Sequence, residues 1–140
     1  MNRPHILLIA VAGIAAANAY AAPASLLEAS NPFAKPSTLP FEYPAFDKIK
    51  DEHFAPAYAE GMRQQAAEID AIANNKAAPT FENTIVAMER SGQLLSRVGI
   101  AFGTLTGSYT NDTLKALDKD LSPKLAAHSD AIRLNPKLYA

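Results

Sequence analysis

The histidines are the first candidates for catalytic or metal-binding residues in this chain. The first of them, His53, lacks the neighbouring ligands that a metal site needs. His53 follows Asp51 and Glu52, but adjacent side chains on a helix point in different directions and do not converge on one ion. Histidines that share a metal on one helix are four residues apart, and the position four residues after His53 is Ala57. The sequence therefore predicts that His53 makes local hydrogen bonds at the start of a helix.

His128 is the second candidate, and it lies on the apolar stripe of a predicted helix. Asp118 and Asp130 lie off that stripe and are poorly placed to act with it. The chain has no H-E-x-x-H motif, no nucleophile elbow and no cysteine, which excludes disulfides, thiol catalysis and cysteine-ligated metal sites. We therefore expect His128 to be a hydrogen-bonded core residue, and we predict no catalytic, cofactor-binding or metal-ligating residue in this chain.

Length and charge narrow the function classes further. A length of 140 residues is typical of a single domain. Of these residues 28 are alanine, which has the highest intrinsic helix propensity. The chain carries 13 basic and 14 acidic residues and a net charge of −1. This balance gives no basic footprint for nucleic acid and no electrostatic attraction to an acidic membrane. We expect neither kind of partner.

Residues 1–21 are predicted to be a secretory signal peptide. Arg3 supplies the positive charge, and residues 6–17 are an apolar run that is too short to span a bilayer as a stable helix. Small residues at Ala19 and Ala21 place cleavage before Ala22. Cleavage after Ala19 or Ala24 and an uncleaved signal anchor are the alternatives. The mature chain is therefore expected in the periplasm or outside the cell, without stable membrane association.

Residues 22–47 are predicted to form an extended arm, because proline fixes φ and removes a hydrogen-bond donor. Its prolines are Pro23, Pro32, Pro36, Pro40 and Pro44. Aromatic residues are frequent between them. A disordered linker seldom has this composition, so we favour an arm laid across a larger body, with a linker as the alternative.

Residues 48–140 are predicted to be all-α, with three long helices packed as antiparallel hairpins. The first extends from about Asp51 to Asn74. Apolar residues recur in it at spacings of three and four. They are Phe54, Tyr58, Met62, Ile69 and Ile72.

The second helix is predicted to begin after an N-cap at Thr80 and to continue to about Leu105. Its apolar stripe comprises Phe81, Ile85, Met88, Leu95, Val98, Phe102 and Leu105. Gly99, Gly103 and Gly107 recur every four residues and form a row where another helix could approach. Such a row also occurs on transmembrane dimer faces, but the adjacent Arg97 argues against a bilayer.

The third helix is predicted to begin after an N-cap at Asn111 and to kink near Pro123. Its stripe comprises Leu114, Leu117, Leu121, Leu125, His128 and Ile132. Asn135 and Pro136 then resemble the start of a fourth helix.

Several unusual strings occur in a fixed order between residues 31 and 140. They include Asn31-Pro32-Phe33, Ser37-Thr38-Leu39-Pro40-Phe41, His53-Phe54-Ala55-Pro56-Ala57-Tyr58, Pro79-Thr80-Phe81-Glu82-Asn83-Thr84-Ile85, Glu89-Arg90-Ser91-Gly92 and Lys124-Leu125-Ala126-Ala127-His128-Ser129-Asp130. In this order and spacing they resemble the N-terminal part of the bacterial peptidyl-dipeptidases, also called dipeptidyl carboxypeptidases. The family is a group of thimet-oligopeptidase-like zinc metallopeptidases.

The resemblance implies a two-lobed helical peptidase that removes C-terminal dipeptides from oligopeptides. It implies zinc held by an H-E-x-x-H helix and a further Glu, all outside the matched region, and none of these positions corresponds to a residue of this chain. We therefore expect an inactive N-terminal fragment of an exported enzyme, which forms part of the channel-covering lobe and packs against the remainder of the peptidase. The alternative is a free-standing periplasmic helical module that binds or inhibits without catalysis.

Overall fold

A computed structural model describes residues 24–139, and all regular structure in that range is helical. Four α-helices are present: α1 (Phe54–Ala73), the single-turn α2 (Ala87–Glu89), α3 (Gln93–Ser108) and α4 (Asp112–Arg133). A π-helical turn (Phe81–Val86) leads into α2, and three 3₁₀ turns lie at Pro40–Glu42, Asp51–His53 and Pro136–Leu138. The predicted all-α class with three long helices is confirmed. The predicted signal peptide lies outside the described residues.

None of the helices within residues 24–139 has both the length and the apolar character needed to cross a membrane. The longest of them, α4, has 22 residues. Charged side chains recur along it from Asp112 to Arg133.

Helices α1 and α3 pack closely in an antiparallel arrangement. A Cβ placed on Gly61 would lie only 2.9 Å from the Leu95 Cα, so the two backbones approach at a point where α1 has no side chain. Further along the pair, Tyr58 contacts Phe102, with their ring centroids 5.5 Å apart. Residue numbers rise on one helix as they fall on the other, which is the hairpin arrangement predicted from the sequence.

The main hydrophobic core lies where α1, α3 and α4 meet residues 24–49, which we call the N-terminal segment. Its centre is an aromatic cluster in which Phe54 contacts Phe33 at 5.5 Å and Phe102 at 5.1 Å between ring centroids. Pairs of this kind contribute about 0.5–1.5 kcal/mol beyond the apolar area that they bury. The buried members are Phe33, Phe54, Ala57, Tyr58, Leu94, Val98, Ala101, Phe102, Leu114 and Leu121.

The second predicted helix is wrong as one continuous element. Thr80 is the N-cap as predicted: its hydroxyl accepts a hydrogen bond from Asn83 N at 3.1 Å. The helix then stops, and Gly92 adopts a left-handed conformation at φ 71° before α3 begins. The Glu68 carboxylate accepts a hydrogen bond from Gly92 N at 2.7 Å and so stabilises this break from outside the turn.

The prediction that Phe81 and Ile85 begin the buried apolar stripe of the second helix is also wrong. Phe81 and Ile85 are exposed on the π-helical turn. An extra residue per turn rotates side chains away from the positions that a spacing of three and four assigns to them. The wider period of this turn and the break at Gly92 together separate Phe81 and Ile85 from the face of α3 that carries Val98 and Phe102.

The glycine row on α3 does not provide the close helix contact. A Cβ on Gly99 would have an ordinary contact with the Tyr58 hydroxyl at 3.9 Å, and Gly103 and Gly107 have no described atom within 4 Å of that position. The close approach occurs instead at Gly61 of α1. Spacing within one helix shows which residues share a face, whereas the position of the partner helix decides which glycine is needed.

Helix α4 begins as predicted, because the Asn111 side chain accepts a hydrogen bond from Leu114 N at 2.8 Å. Leu114 and Leu121 are buried in the core. Pro123 lies within α4, which continues through it without interruption and ends at Arg133. The predicted start of a fourth helix corresponds to the 3₁₀ turn at Pro136–Leu138.

The contrast between Gly61 and Gly103 provides a matched stability test. We expect Gly61→Ala to destabilise the chain by about 1–3 kcal/mol, because its methyl group would overlap the Leu95 backbone. Gly103→Ala, in open space on α3, should instead stabilise it by up to about 1 kcal/mol through helix propensity. Urea unfolding followed by circular dichroism measures both. Equal effects of the two substitutions would contradict the helix packing described above.

Candidate functional site

A cleft of about 660 Å³ lies between the N-terminal segment and one face of α3. The segment contributes residues 29–49 with gaps, and α3 contributes Arg97, Ile100 and Thr104, which are spaced three and four apart and so share one face. Its volume falls in the range of pockets that hold ligands or partner side chains.

The rim of this cleft is strongly apolar. Phe41 is fully exposed, and Leu39, Tyr43 and Ile100 also present large side chains to solvent. The Tyr43 ring is held against Phe46, with 5.7 Å between their centroids. Single exposed apolar residues are normal on protein surfaces, but a group of them around one cleft is typical of a contact surface.

Backbone strain occurs at the centre of this rim. Phe41 and Glu42 have φ values of 58° and 55°, and they are the non-glycine residues with positive φ between residues 24 and 139. Each residue in this region costs about 1–3 kcal/mol and persists only when its surroundings hold it there. Hydrogen bonds from Glu42 N to Leu39 O and from Tyr43 N to Pro40 O close the turn.

Arg97 is the cation that α3 contributes to the cleft. Its side chain is half-buried, and this burial lowers the pKa of Arg97 while the charge of Glu42 acts in the opposite direction. Across residues 24–139, the ion pairs within 4.0 Å do not involve Arg97. The cleft therefore presents a partly desolvated guanidinium that no described carboxylate neutralises by direct contact.

A second group of polar residues, here called the Glu60 cluster, joins the N-terminal segment to α1 through Glu60, Arg63 and Gln64. The buried Glu60 carboxylate accepts hydrogen bonds from Leu26 N at 3.0 Å, from Arg63 Nε at 2.7 Å and from Gln64 Nε2 at 2.7 Å. Arg63 also donates to Ala24 O at 2.9 Å. The Arg63 hydrogen bond, assisted by those from Leu26 and Gln64, lowers the pKa of Glu60 to about 2 against the opposing effect of burial.

The two histidines within the described range occupy separate places. His53 Nδ1 accepts a hydrogen bond from Lys50 N at 3.0 Å at the start of the first helical segment. His128 Nε2 lies 2.8 Å from Gln65 Oε1, and burial lowers the pKa of His128. Residues 24–139 contain no group of three or more His, Cys, Asp or Glu side chains that could hold a metal ion.

Sequence comparison adds the decisive observation. The chain is 50% identical over 111 residues to the dipeptidyl carboxypeptidase of Salmonella typhimurium and 49% identical over 110 residues to that of Escherichia coli. Each match covers 79% of this chain and 16% of the relative. The chain is homologous to part of dipeptidyl carboxypeptidase. The resemblance described above is thereby confirmed, although no protein-family model matches the chain.

The similarity to dipeptidyl carboxypeptidase extends over a limited part of that enzyme. The chain spans about a sixth of the length of the curated relatives that it matches. The relatives are named for an activity of the whole enzyme, and the segment that matches this chain is a small share of it. The cleft and the Glu60 cluster are therefore features of a segment whose relatives are much longer proteins.

Neither the cleft nor the Glu60 cluster was predicted from the sequence. Glu60 and Arg63 have the spacing of a helix-surface ion pair, and such pairs are usually solvated. Glu60 is two residues after Tyr58 and therefore lies on a different side of α1 from the apolar stripe, so helical periodicity gave no signal for its burial. The cleft depends on how residues 29–49 fold back on α3, which no local pattern describes.

Ionised Glu60 should make stability depend on acidic pH. Its pKa is lowered from 4.5 to about 2, so its contribution is fully present above its ordinary pKa and is lost as pH falls through about 2. Glu60→Gln should destabilise the chain by about 2 kcal/mol at neutral pH, because the substitution removes charge-assisted hydrogen bonds. Unfolding of both proteins by urea between pH 7 and pH 2 should show this difference shrinking towards pH 2.

The matched control for Glu60 is Glu52→Gln. Glu52 is exposed and forms a long 3.8 Å ion pair with Lys50, and exposed pairs contribute little to stability. We expect Glu52→Gln to leave both the stability and its pH dependence unchanged. A pH-independent effect of Glu60→Gln would show that the hydrogen bonds do not depend on the ionised carboxylate.

Proposed function

We propose that the helices of this chain form a non-catalytic part of an exported zinc metallopeptidase that removes C-terminal dipeptides from oligopeptides. The observation that supports this proposal most directly is about 50% identity, across 79% of the chain, to enzymes named dipeptidyl carboxypeptidase. The all-helical fold agrees with the architecture that the family resemblance implies. The partners proposed on this basis are oligopeptide substrates and the remainder of the peptidase chain.

The non-catalytic role is supported by the residues themselves. The resemblance implies zinc in the enzyme, but residues 24–139 do not fit that ion, because they lack a cluster of ligating side chains. The two described histidines hydrogen-bond to different partners, Lys50 and Gln65. We therefore assign zinc and the reacting groups to other parts of the enzyme and no step of the reaction to this chain.

The role left for the segment is structural: it would form part of the helical lobe that covers the substrate channel. A channel wall that excludes folded proteins must be stiff, and the backbone contact between α1 and α3 at Gly61 supplies stiffness. The buried Glu60 cluster holds the N-terminal segment on α1. These two features support a scaffold role.

The proposal is tested by a chimera of the Escherichia coli dipeptidyl carboxypeptidase in which this chain replaces the homologous segment. We expect the chimera to release C-terminal dipeptides from oligopeptides at a rate within about tenfold of the parent enzyme, since half of the replaced residues are identical. Gly61→Ala within the chimera should lower this activity, whereas Gly103→Ala should not. A folded, zinc-loaded chimera that lacks activity would contradict the proposal.

Export is proposed separately from the apolar residues 6–17 and the small residues at Ala19 and Ala21. When the chain is expressed in a Gram-negative bacterium, we expect a periplasmic product that begins at Ala22. Intact mass measurement of the periplasmic fraction identifies the first residue. A product that retains Met1 and stays with the inner membrane would instead support the uncleaved anchor.

A further inference from the structure

We infer that the cleft between the N-terminal segment and α3 is an internal docking surface, which receives an acidic, apolar segment from the remainder of the peptidase. The inference rests on the proposed function, because it assumes that this chain operates as part of a longer enzyme. It goes further by naming the face that meets the rest of that enzyme and the chemistry of the segment that covers it. Four features of the described residues and of the comparisons support it.

The first feature is the clustering of exposed apolar side chains at one place. Phe41, Tyr43 and Ile100 all surround the same cleft, and all three are at least 60% exposed. Burial of apolar surface is favourable in proportion to the area removed from water, so a segment that covers these three side chains would gain binding free energy. The side chains through which it makes this contact must themselves be apolar.

The second feature is charge. The charged residues that line the cleft are Lys35, Lys48, Arg97, Glu42 and Asp47, so cations outnumber anions by one. Arg97 is half-buried and has no carboxylate within 4.0 Å among residues 24–139. A carboxylate on the docked segment would complete the pair, and guanidinium groups favour that partner through paired hydrogen bonds.

The third feature is the strained turn. Phe41 and Glu42 both adopt positive φ, and the turn presents the Phe41 ring outward with no described residue covering it. Strained residues of this kind cluster at functional sites such as ligand clamps and switch regions. The result is an aromatic ring that projects from a turn anchored on both sides, as an interface anchor does.

The fourth feature is the size of the relatives. The chain spans 16% of each dipeptidyl carboxypeptidase that it matches, so about five-sixths of such an enzyme lies outside the matched segment. A lobe packed against that much protein needs a contact face. This cleft of about 660 Å³ has Phe41, a fully exposed aromatic residue, at its rim, and we therefore assign the contact to it.

Chymotrypsin offers a local probe, because it cleaves after exposed aromatic residues but not before proline. Leu39 and Tyr43 are each followed by proline, so the Phe41–Glu42 bond is the reporter at the rim. The Phe81–Glu82 bond, on the exposed π-helical turn, has the same sequence and is the internal reference. The experiment compares both bonds, by mass spectrometry, in the intact 140-residue chain and in the chimeric peptidase.

We expect cleavage at Phe41–Glu42 to be about tenfold slower in the chimera than in the isolated chain. Arg97→Met in the chimera should restore most of that cleavage, and Arg97→Lys should restore less of it. Arg90→Met is the matched control, because Arg90 lies outside the cleft and pairs with Glu82 at 3.6 Å. Arg90→Met should leave protection at Phe41 unchanged.

The outcomes separate this inference from the proposed function. An active chimera in which Phe41–Glu42 is cleaved as fast as in the isolated chain overturns the inference and leaves the proposed function standing. Protection that appears in the isolated chain as its concentration rises assigns the cleft to a second copy and also overturns the inference. A folded, zinc-loaded chimera without peptidase activity overturns the proposed function, and the inference falls with it.

Discussion

The backbone contact between Gly61 and Leu95 determines how the rest of the structure is arranged. Because the two helices meet where α1 has no Cβ, their axes come close enough for Tyr58 and Phe54 to reach Phe102 across the interface. A larger residue at position 61 would separate the helices along their whole length, since packed cores transmit displacement rather than absorb it. The aromatic core is thus a consequence of one missing side chain.

The same contact also determines which part of α1 lies next to the break before α3 and next to α4. Antiparallel packing from Gly61 brings Gln65 and Glu68 of α1 next to the turn that contains Gly92. Glu68 accepts a hydrogen bond from Gly92 N, and the Gln65 side chain also lies against His128 of α4. One turn of α1 therefore contacts both the beginning of α3 and the far part of α4. At the other end, Asn111 Nδ2 donates a hydrogen bond to Asp51 Oδ2 at 2.8 Å, so residue numbers rise together along α1 and α4 and the two helices run parallel.

Much of this fold could be predicted from periodicity and capping, and the failures have a common physical cause. The first helix, the N-caps at Thr80 and Asn111 and the all-α class follow from local chemistry, which the sequence contains directly. The break at Gly92 depends on Glu68, which is 24 residues away. A prediction based on apolar spacing continues the helix through such a break, because spacing does not show hydrogen bonds to residues that are distant in the sequence.

The choice of glycine shows the same limit. Gly99, Gly103 and Gly107 form the regular row, but the partner helix meets Gly61 instead. The cleft was equally inaccessible to prediction, because it forms between a segment rich in proline and a helix about fifty residues later in the chain. For the histidines, local reasoning was sufficient for His53, whereas the Gln65 partner of His128 lies on another helix.

The N-terminal segment combines two roles that proline-rich composition alone does not distinguish. Asn31 donates to His53 O at 3.1 Å and Phe33 enters the aromatic core, so the segment completes the helical bundle on one side of the strained turn. Phe46 and Ile49 pack against the same core on the other side. Because both ends are anchored, the intervening turn cannot collapse onto the bundle, and its apolar side chains stay in solvent. The N-terminal segment therefore contributes to the core at both of its anchored ends and presents apolar side chains to solvent between them.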